Sequence, residues 1–326
     1  MIGRVAALTD PGRKRRRNED SYIIEPPLFA IADGMGGAQA GEVASRLATA
    51  ALREGGGDVT DGEQRIVDLI QEANRRVYDR SSSDPNTSGM GTTITVALVK
   101  DEQVAFGHVG DSRAYLIRDA RMEQLTEDHS LVNELLKTGR LSREEAEAHP
   151  QRSVITRALG TDPDVDVDTF SVSARTGDLF LLCSDGLTDM VSEGSILTLV
   201  ERNRDDIDGA LRALVKEANR GGGQDNITVV AFEIADEAPA QDGDTREQAL
   251  PPQAAAPDED TLTEVDAVPA VDTGVISTDE IDAELARQER DEQAARRRRL
   301  QRIGALLLVA LLVLGFLLFV FLRFVL

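Results

Sequence analysis

Apolar runs too short to be helices recur through the first two-thirds of the chain, and most of them end or begin in an acidic turn rich in glycine or serine. The runs cover residues 22–24, 28–32, 92–99, 104–109, 114–117, 165–172, 179–183 and 227–234. They are β-branched or aromatic in character and several are separated by hairpin-length turns, which predicts strands in largely antiparallel sheets. Helical signals fall in blocks between them. Residues 38–52 are alanine-rich, Ile66, Leu69, Ile70, Ala73 and Val77 repeat at helical spacing, and two further helices are expected over 193–203 and 207–219. Runs of strands interrupted by helix pairs read as α+β, here an α/β/β/α sandwich of two mostly antiparallel sheets with helices on the outer faces.

The acidic turns are Asn18-Glu19-Asp20, Asp33-Gly34-Met35-Gly36-Gly37, Gly110-Asp111-Ser112-Arg113, Ser184-Asp185-Gly186 and Asp225-Asn226. Carboxylates at strand ends are how a sheet protein builds a site for a hard cation. Oxygen ligands without thiolate or imidazole suit Mg²⁺ or Mn²⁺ rather than zinc or copper. Two such ions about 4 Å apart can activate a water and neutralise the crowded oxygens of a phosphoryl group. Read singly, each Asp-Gly is an ordinary turn; the set is the signal. Asp128 and Asp189 gain no such support and read as structural. The triple glycines at Gly55 and Gly221 lack a following Lys-Ser or Lys-Thr pair and are not nucleotide-cradling loops.

The formal net charge of −22 argues against a nucleic-acid partner, and 17 acidic against 3 basic side chains over 237–295 place much of it in one segment. That segment belongs to a Pro-, Ala-, Asp- and Glu-rich stretch, 236–302, which reads as a disordered linker ending in the basic run Arg296-Arg297-Arg298-Arg299. Residues 303–322 carry no charge and, at about 1.5 Å per residue, match a hydrocarbon core of roughly 30 Å, so they read as one transmembrane helix. With the arginines before it and only Arg323 after it, the large N-terminal domain, 1–235, is expected on the cytoplasmic side of the cell membrane, single-pass. No secretory signal precedes it. The single cysteine, Cys183, ends the run Leu179-Phe180-Leu181-Leu182 and lacks the nearby arginine of a cysteine phosphatase loop, so it reads as a core residue.

The turns also fit a known order. Thr9-Asp10-Pro11-Gly12 through Arg15 to Asn18-Glu19-Asp20-Ser21, then Asp33-Gly34-Met35-Gly36-Gly37, Gly91-Thr92-Thr93, Val109-Gly110-Asp111-Ser112-Arg113, Ser184-Asp185-Gly186-Leu187 and Asp225-Asn226-Ile227-Thr228 follow one another. This resembles the metal-dependent serine/threonine protein phosphatases of type 2C, bacterial branch, over residues 1–234. The resemblance implies a binuclear Mn²⁺ or Mg²⁺ site bridged by Asp33, with the Gly34 carbonyl, Asp185 and Asp225 in the coordination shell. Glu19 and Asp20 would hold metal waters or ligate directly, and Asp111 would serve a third, weaker ion. Arg15, four residues before Glu19, would bind phosphate through its forked donors, with Arg13, Arg16 and Arg17 as a solvated basic rim. Residues 133–149 would form a mobile flap. Animal-type relatives carry a histidine at the position of Met35, which cannot protonate a leaving group; a metal-bound water would take that role. Of the three histidines, His108 and His129 read as hydrogen-bonded scaffold, and His149 lies in the flap.

The expectation is a membrane-tethered monomeric enzyme that hydrolyses phosphoserine and phosphothreonine in proteins, with catalytic residues Asp33 and Arg15, and opposes a membrane Ser/Thr kinase. The rival is a catalytically silent relative that only binds phosphoproteins.

Overall fold

The computed structural model describes residues 1–36, 40–55, 62–147 and 149–236. Two five-stranded antiparallel sheets face each other within them. The first holds, in spatial order, β1 (Ile2–Asp10), β12 (Ile227–Ile234), β11 (Leu179–Cys183), β8 (Arg113–Arg118) and β9 (Arg121–Gln124). The second holds β10 (Asp168–Ser173), β7 (Gln103–Val109), β6 (Ile94–Lys100), β3 (Leu28–Ala32) and β2 (Ser21–Glu25). A two-stranded ribbon pairs β4 (Gly34–Met35) with β5 (Gly91–Thr92).

Alternation along the strands explains the layering. Phe180, Leu182, Val230 and Phe232 point into the space between the sheets, where they meet Phe29, Ile31, Ala97 and Phe106. Aromatic rings run through this middle layer: Phe29 stacks on Phe232 at 4.2 Å, Phe232 on Phe180 at 5.1 Å, and Phe106 on Phe170 at 5.2 Å. The intervening residues Leu179, Leu181, Cys183, Val229 and Ala231 face outward, under α6 (Glu193–Arg202) and α7 (Ile207–Gly221). On the other sheet, Ile23, Ala30, Ile94 and Val96 lie under α1 (Ala40–Glu54) and α2 (Gly62–Ser83), which bring Ala44, Ala48, Ile66, Ile70 and Val77. The α/β/β/α sandwich expected from the strand pattern is therefore present, and Cys183 is wholly buried with its thiol pushed up to about 12 by desolvation.

The differences have local causes. β1 and β9 escape the sequence pattern because neither buries an apolar run: β1 buries only Ala6 and carries a register shift between Ile2 and Val5, and β9 has exposed and half-buried residues alone, whereas the edge strands β2 and β10 were expected. The strand expected from residue 165 begins only at Asp168, since α2 draws the preceding segment aside through Gln71 Nε2 to the Val165 carbonyl at 2.6 Å and Asn74 to the carbonyls of Asp162 and Pro163. The flap segment contains α3 (Leu131–Lys137) and α4 (Arg143–Glu147), and a short helix, α5 (Asp185–Thr188), opens on Asp185 itself. The expected linker and transmembrane helix lie outside the described residues. Among the described residues no helix is long and apolar enough to cross a membrane.

Candidate active site

Antiparallel register gathers the acidic turns at one end of the sandwich. Asp20 precedes β2 and Asp33 follows β3, and these ends are paired through Ser21 and Ala32. Asp111 follows β7 where Val109 pairs Ile94. Asp185 follows β11 and Asp225 precedes β12, joined near Cys183 and Val229. Five loops from both sheets thus meet above one edge of the core.

Small polar side chains hold those loops. The Asp33 peptide is clamped by the threonine pair: Thr93 N–H and Thr92 Oγ1 donate to its carbonyl at 2.9 and 2.8 Å, and its own N–H donates to Thr93 Oγ1 at 3.0 Å. Thr93 Oγ1 also meets Ser112 Oγ at 2.9 Å, which ties the Asp33 and Asp111 turns together. Asn226 accepts from Glu19 N–H at 2.8 Å and donates to the carbonyls of Pro11 and Arg17, so one amide fixes the arginine-rich loop. Asp20 Oδ2 accepts from Thr228 Oγ1 at 2.5 Å and Ser184 Oγ at 3.1 Å. Gly34 is needed because a Cβ there would meet the Gly41 carbonyl at 2.1 Å; this close approach of α1 also brings the Glu19 carboxylate onto Gly41.

The carboxylates raise one another's affinity for protons. Desolvation, then Asp20, Asp185, Asp225 and Asp111, hold Asp33 well above the ordinary carboxyl range. Desolvation, then Asp111, Asp225, Asp189 and Asp20, do the same for Asp185. Burial lifts Glu19 to about 7 against the pull of Arg15, Asp20 to about 6 against the Thr228 bond, and Asp111 to about 7 with Asp128 and Asp189 adding to it. The seven predicted residues Arg15, Glu19, Asp20, Asp33, Asp111, Asp185 and Asp225 are therefore brought into one electrostatic cluster, and Gly34 lies among them.

This donor set fits divalent cations. Asp20 and Asp185 are half-buried residues, yet Oδ1 of each is shut off from solvent and has no hydrogen-bond partner among the described residues; a bound cation would compensate an oxygen so placed. Among the described residues no three such side chains close into a finished coordination cage. What the loops supply is negative charge at short range, with ligand geometry still to be completed.

Beside the cluster, a pocket is lined by Arg15, Arg152, Ser153, Asp185, Asp189, Gln224 and Asp225. Arg15 Nη2 donates to Asp225 Oδ2 at 2.8 Å; burial opposes the guanidinium charge, but Asp225, Glu19 and Asp33 more than offset it. Arg13, Arg16 and Arg17 are exposed around it, as a rim would be. Met35 is buried against Ile155 and Ala158 and offers no proton. His108 bonds Thr95 Oγ1 and the Glu127 carbonyl, His149 accepts from Gln151 N–H, and His129 bonds Gly110 and Asp168, so all three are engaged within the scaffold.

Two site residues escaped the sequence reading. Asp189 reads from sequence as structural, but it caps α5, one turn after Asp185, and raises the proton affinity of Asp111 and Asp185; the i, i+4 spacing was the available signal. Arg152 arrives from the segment after α4 and stands 3.7 Å from Asp189; nothing in its surroundings in sequence marks it. Asp128 grips Arg113 in a two-nitrogen ion pair at 2.6 to 3.1 Å, and like Asp189 it raises the proton affinity of Asp111.

Comparison with known proteins settles the family. The sequence profile described as Protein phosphatase 2C matches residues 17–219. The chain belongs to the protein phosphatase 2C family. The serine/threonine phosphatase stp of Listeria innocua is 42% identical over 236 residues, covering 69% of this chain and 93% of that protein. The serine/threonine protein phosphatase PstP of Mycobacterium tuberculosis is 41% identical over 241 residues, 72% of this chain and 46% of that longer protein. Among solved structures, the catalytic domain of PstP in complex with two manganese ions superposes with a TM-score of 0.67 at 38% identity, covering 72% of this chain and 99% of that one.

Proposed function

We propose that this chain removes phosphate from phosphoserine and phosphothreonine in proteins, using two Mn²⁺ or Mg²⁺ ions held by Asp33, the Gly34 carbonyl, Asp185 and Asp225, with Glu19 and Asp20 beside them. The observation that carries the reading is the convergence of five acidic turns from two sheets into one cluster next to Arg15. The ions, when bound, supply an activated water and neutralise charge on the phosphoryl oxygens. The remaining work falls to the chain. Arg15 presents forked donors to a phosphate dianion, and Asp225 fixes the direction of that fork from below. Thr92 and Thr93 lock the peptide of Asp33, so that its carboxylate is placed before ligands arrive. Asp111, with Asp189 nearby, is the acidic residue we assign to a third, weaker ion.

Retention of Asp33, Asp185 and Asp225 together, and the phosphatase names of relatives at about 40% identity, favour catalysis over a silent phosphoprotein-binding relative. The test is hydrolysis of a phosphothreonine peptide with Mn²⁺, with EDTA, and with Asp33→Asn. Activity surviving both chelation and substitution refutes the mechanism.

We also propose that residues 303–322 anchor the enzyme in the cell membrane as a single span, with residues 1–235 cytoplasmic and 236–302 as tether, which would raise its effective concentration toward a phosphorylated membrane Ser/Thr kinase. The anchored enzyme is read as a monomer. If a chain ending at 236 dephosphorylates such a kinase in cells as fast as the full chain does, the tether has no such role.

A further inference from the structure

The Asp111 turn is held by a residue that the reading above leaves idle. Gly110 has φ +116°, a conformation left to glycine, and a Cβ there would strike Thr93 at 2.6 Å. Both polar groups of its backbone go to the same partner: His129 N–H donates to the Gly110 carbonyl at 2.7 Å, and Gly110 N–H donates to His129 Nδ1 at 3.0 Å. With Nδ1 accepting from Gly110, the ring proton is assigned to Nε2, which lies 3.1 Å from Asp168 Oδ2 and 3.1 Å from Arg157 Nη1. Arg157 Nη1 holds the other oxygen of Asp168 at 2.6 Å. The ring is buried and lies against His108, with centroids 4.9 Å apart.

We propose that His129 is a positioning residue for the weaker metal site: its Nδ1 fixes the Gly110 peptide, and so the direction of Asp111, while Asp168 and Arg157 fix the far side of the ring. The alternative of simple packing does not explain why a buried imidazole is oriented from both nitrogens, with Nδ1 on the N–H of the glycine whose carbonyl the His129 backbone already holds. The same residue meets the segment that follows the flap, since its carbonyl accepts Thr156 N–H at 2.9 Å and the adjacent Ser130 bridges to Ile155. His129 is therefore the point where the flap exit, the Asp168 strand and the Asp111 turn are fastened together.

The inference rests on the assignment of Asp111 to a third ion, and the experiment separates the two. Bound Mn²⁺ per full-length chain in detergent micelles is counted by electron paramagnetic resonance at rising free Mn²⁺, so the readout is occupancy and not turnover. Asp111→Asn should remove the weak phase and leave the tight one; if the weak phase survives, the Asp111 assignment fails and the inference falls with it. His129→Gln reaches toward Asp168 but has no acceptor at the Nδ1 position, and should weaken the weak phase by about tenfold or more. His129→Asn keeps an acceptor near the Nδ1 position and should stay within about threefold of wild type. Asp168→Ala, at a half-buried position on the edge strand β10, frees the ring and should weaken the same phase by about threefold or more. Equal losses in the Gln and Asn variants, or wild-type weak binding in His129→Gln, overturn the proposal. Should the Gln variant not fold, wild-type weak binding in Asp168→Ala overturns it.

Discussion

Asp111→Asn should make the metal-free protein more stable, and only above a defined pH. Asp111 is 8% exposed, and burial with the charges of Asp128 and Asp189 lifts its carboxyl from 3.8 to about 7. A carboxyl that binds its proton more tightly when folded opposes folding once it ionises, so its contribution is lost as pH rises from the unfolded value through the folded one. Three units correspond to about 4 kcal/mol at about 1.4 kcal/mol per unit. The penalty is nearly absent below about pH 4, about 1 to 2 kcal/mol at pH 5, and complete at about 4 kcal/mol by pH 8. An amide of nearly the same shape carries no charge to desolvate. Urea unfolding in EDTA at pH 5 and pH 8 measures the difference directly, and the substitution should gain about 2 to 3 kcal/mol more at pH 8 than at pH 5. With saturating Mn²⁺ the order should reverse, because ions that bind the ionised carboxylates of the folded state stabilise wild type. A gain that is the same at both pH values, or a loss at pH 8 in EDTA, refutes the reasoning.

Arg15→Lys keeps the charge but not the fork and should lower kcat/KM on a phosphothreonine peptide by about tenfold to a hundredfold, as expected for loss of one charge-assisted hydrogen bond. Phe232→Ala removes the ring that stacks on both Phe29 and Phe180 and should destabilise the protein by about 3 to 5 kcal/mol in urea unfolding, with little change in Mn²⁺ affinity. Asn226→Ala strands the Glu19 N–H and the carbonyls of Pro11 and Arg17; about 1 to 3 kcal/mol of stability should go, and KM should rise as Arg15 loses its support. A full-length chain should sediment with lipid vesicles and one ending at residue 302 should not.

The strands of the two central layers were legible because β3, β6, β7, β11 and β12 are nearly continuous apolar runs, and the acidic turns because glycine and aspartate fall together at their ends. The edge strands β1 and β9 were not: Arg4 of β1 pairs with Glu233 of β12, and β9 shows only exposed or half-buried residues, so neither carries a hydrophobic period. The site was legible as a list of carboxylates and one arginine. Its supports were not, since Thr92, Thr93 and Asn226 act through backbone groups of distant loops, and a hydroxyl or amide bond across some sixty or two hundred residues leaves no trace in spacing. Asp189 was missed for a different reason: the helix joining it to Asp185 is a single turn, too short to show periodicity.

The pairing of β1 with β12 has a directional consequence. Asp10 stands opposite Ile227 at the carboxylate end, whereas Ile2 stands opposite Ile234 at the other, and the amino group of Met1 donates to the Ala235 carbonyl at 2.9 Å. At about 3.3 Å per residue, the strand carries the polypeptide about 23 Å away from the catalytic mouth before it leaves the sheet. Met1 and Ala235 therefore lie together at the end of the first sheet opposite the one that carries Asp10 and Asp225.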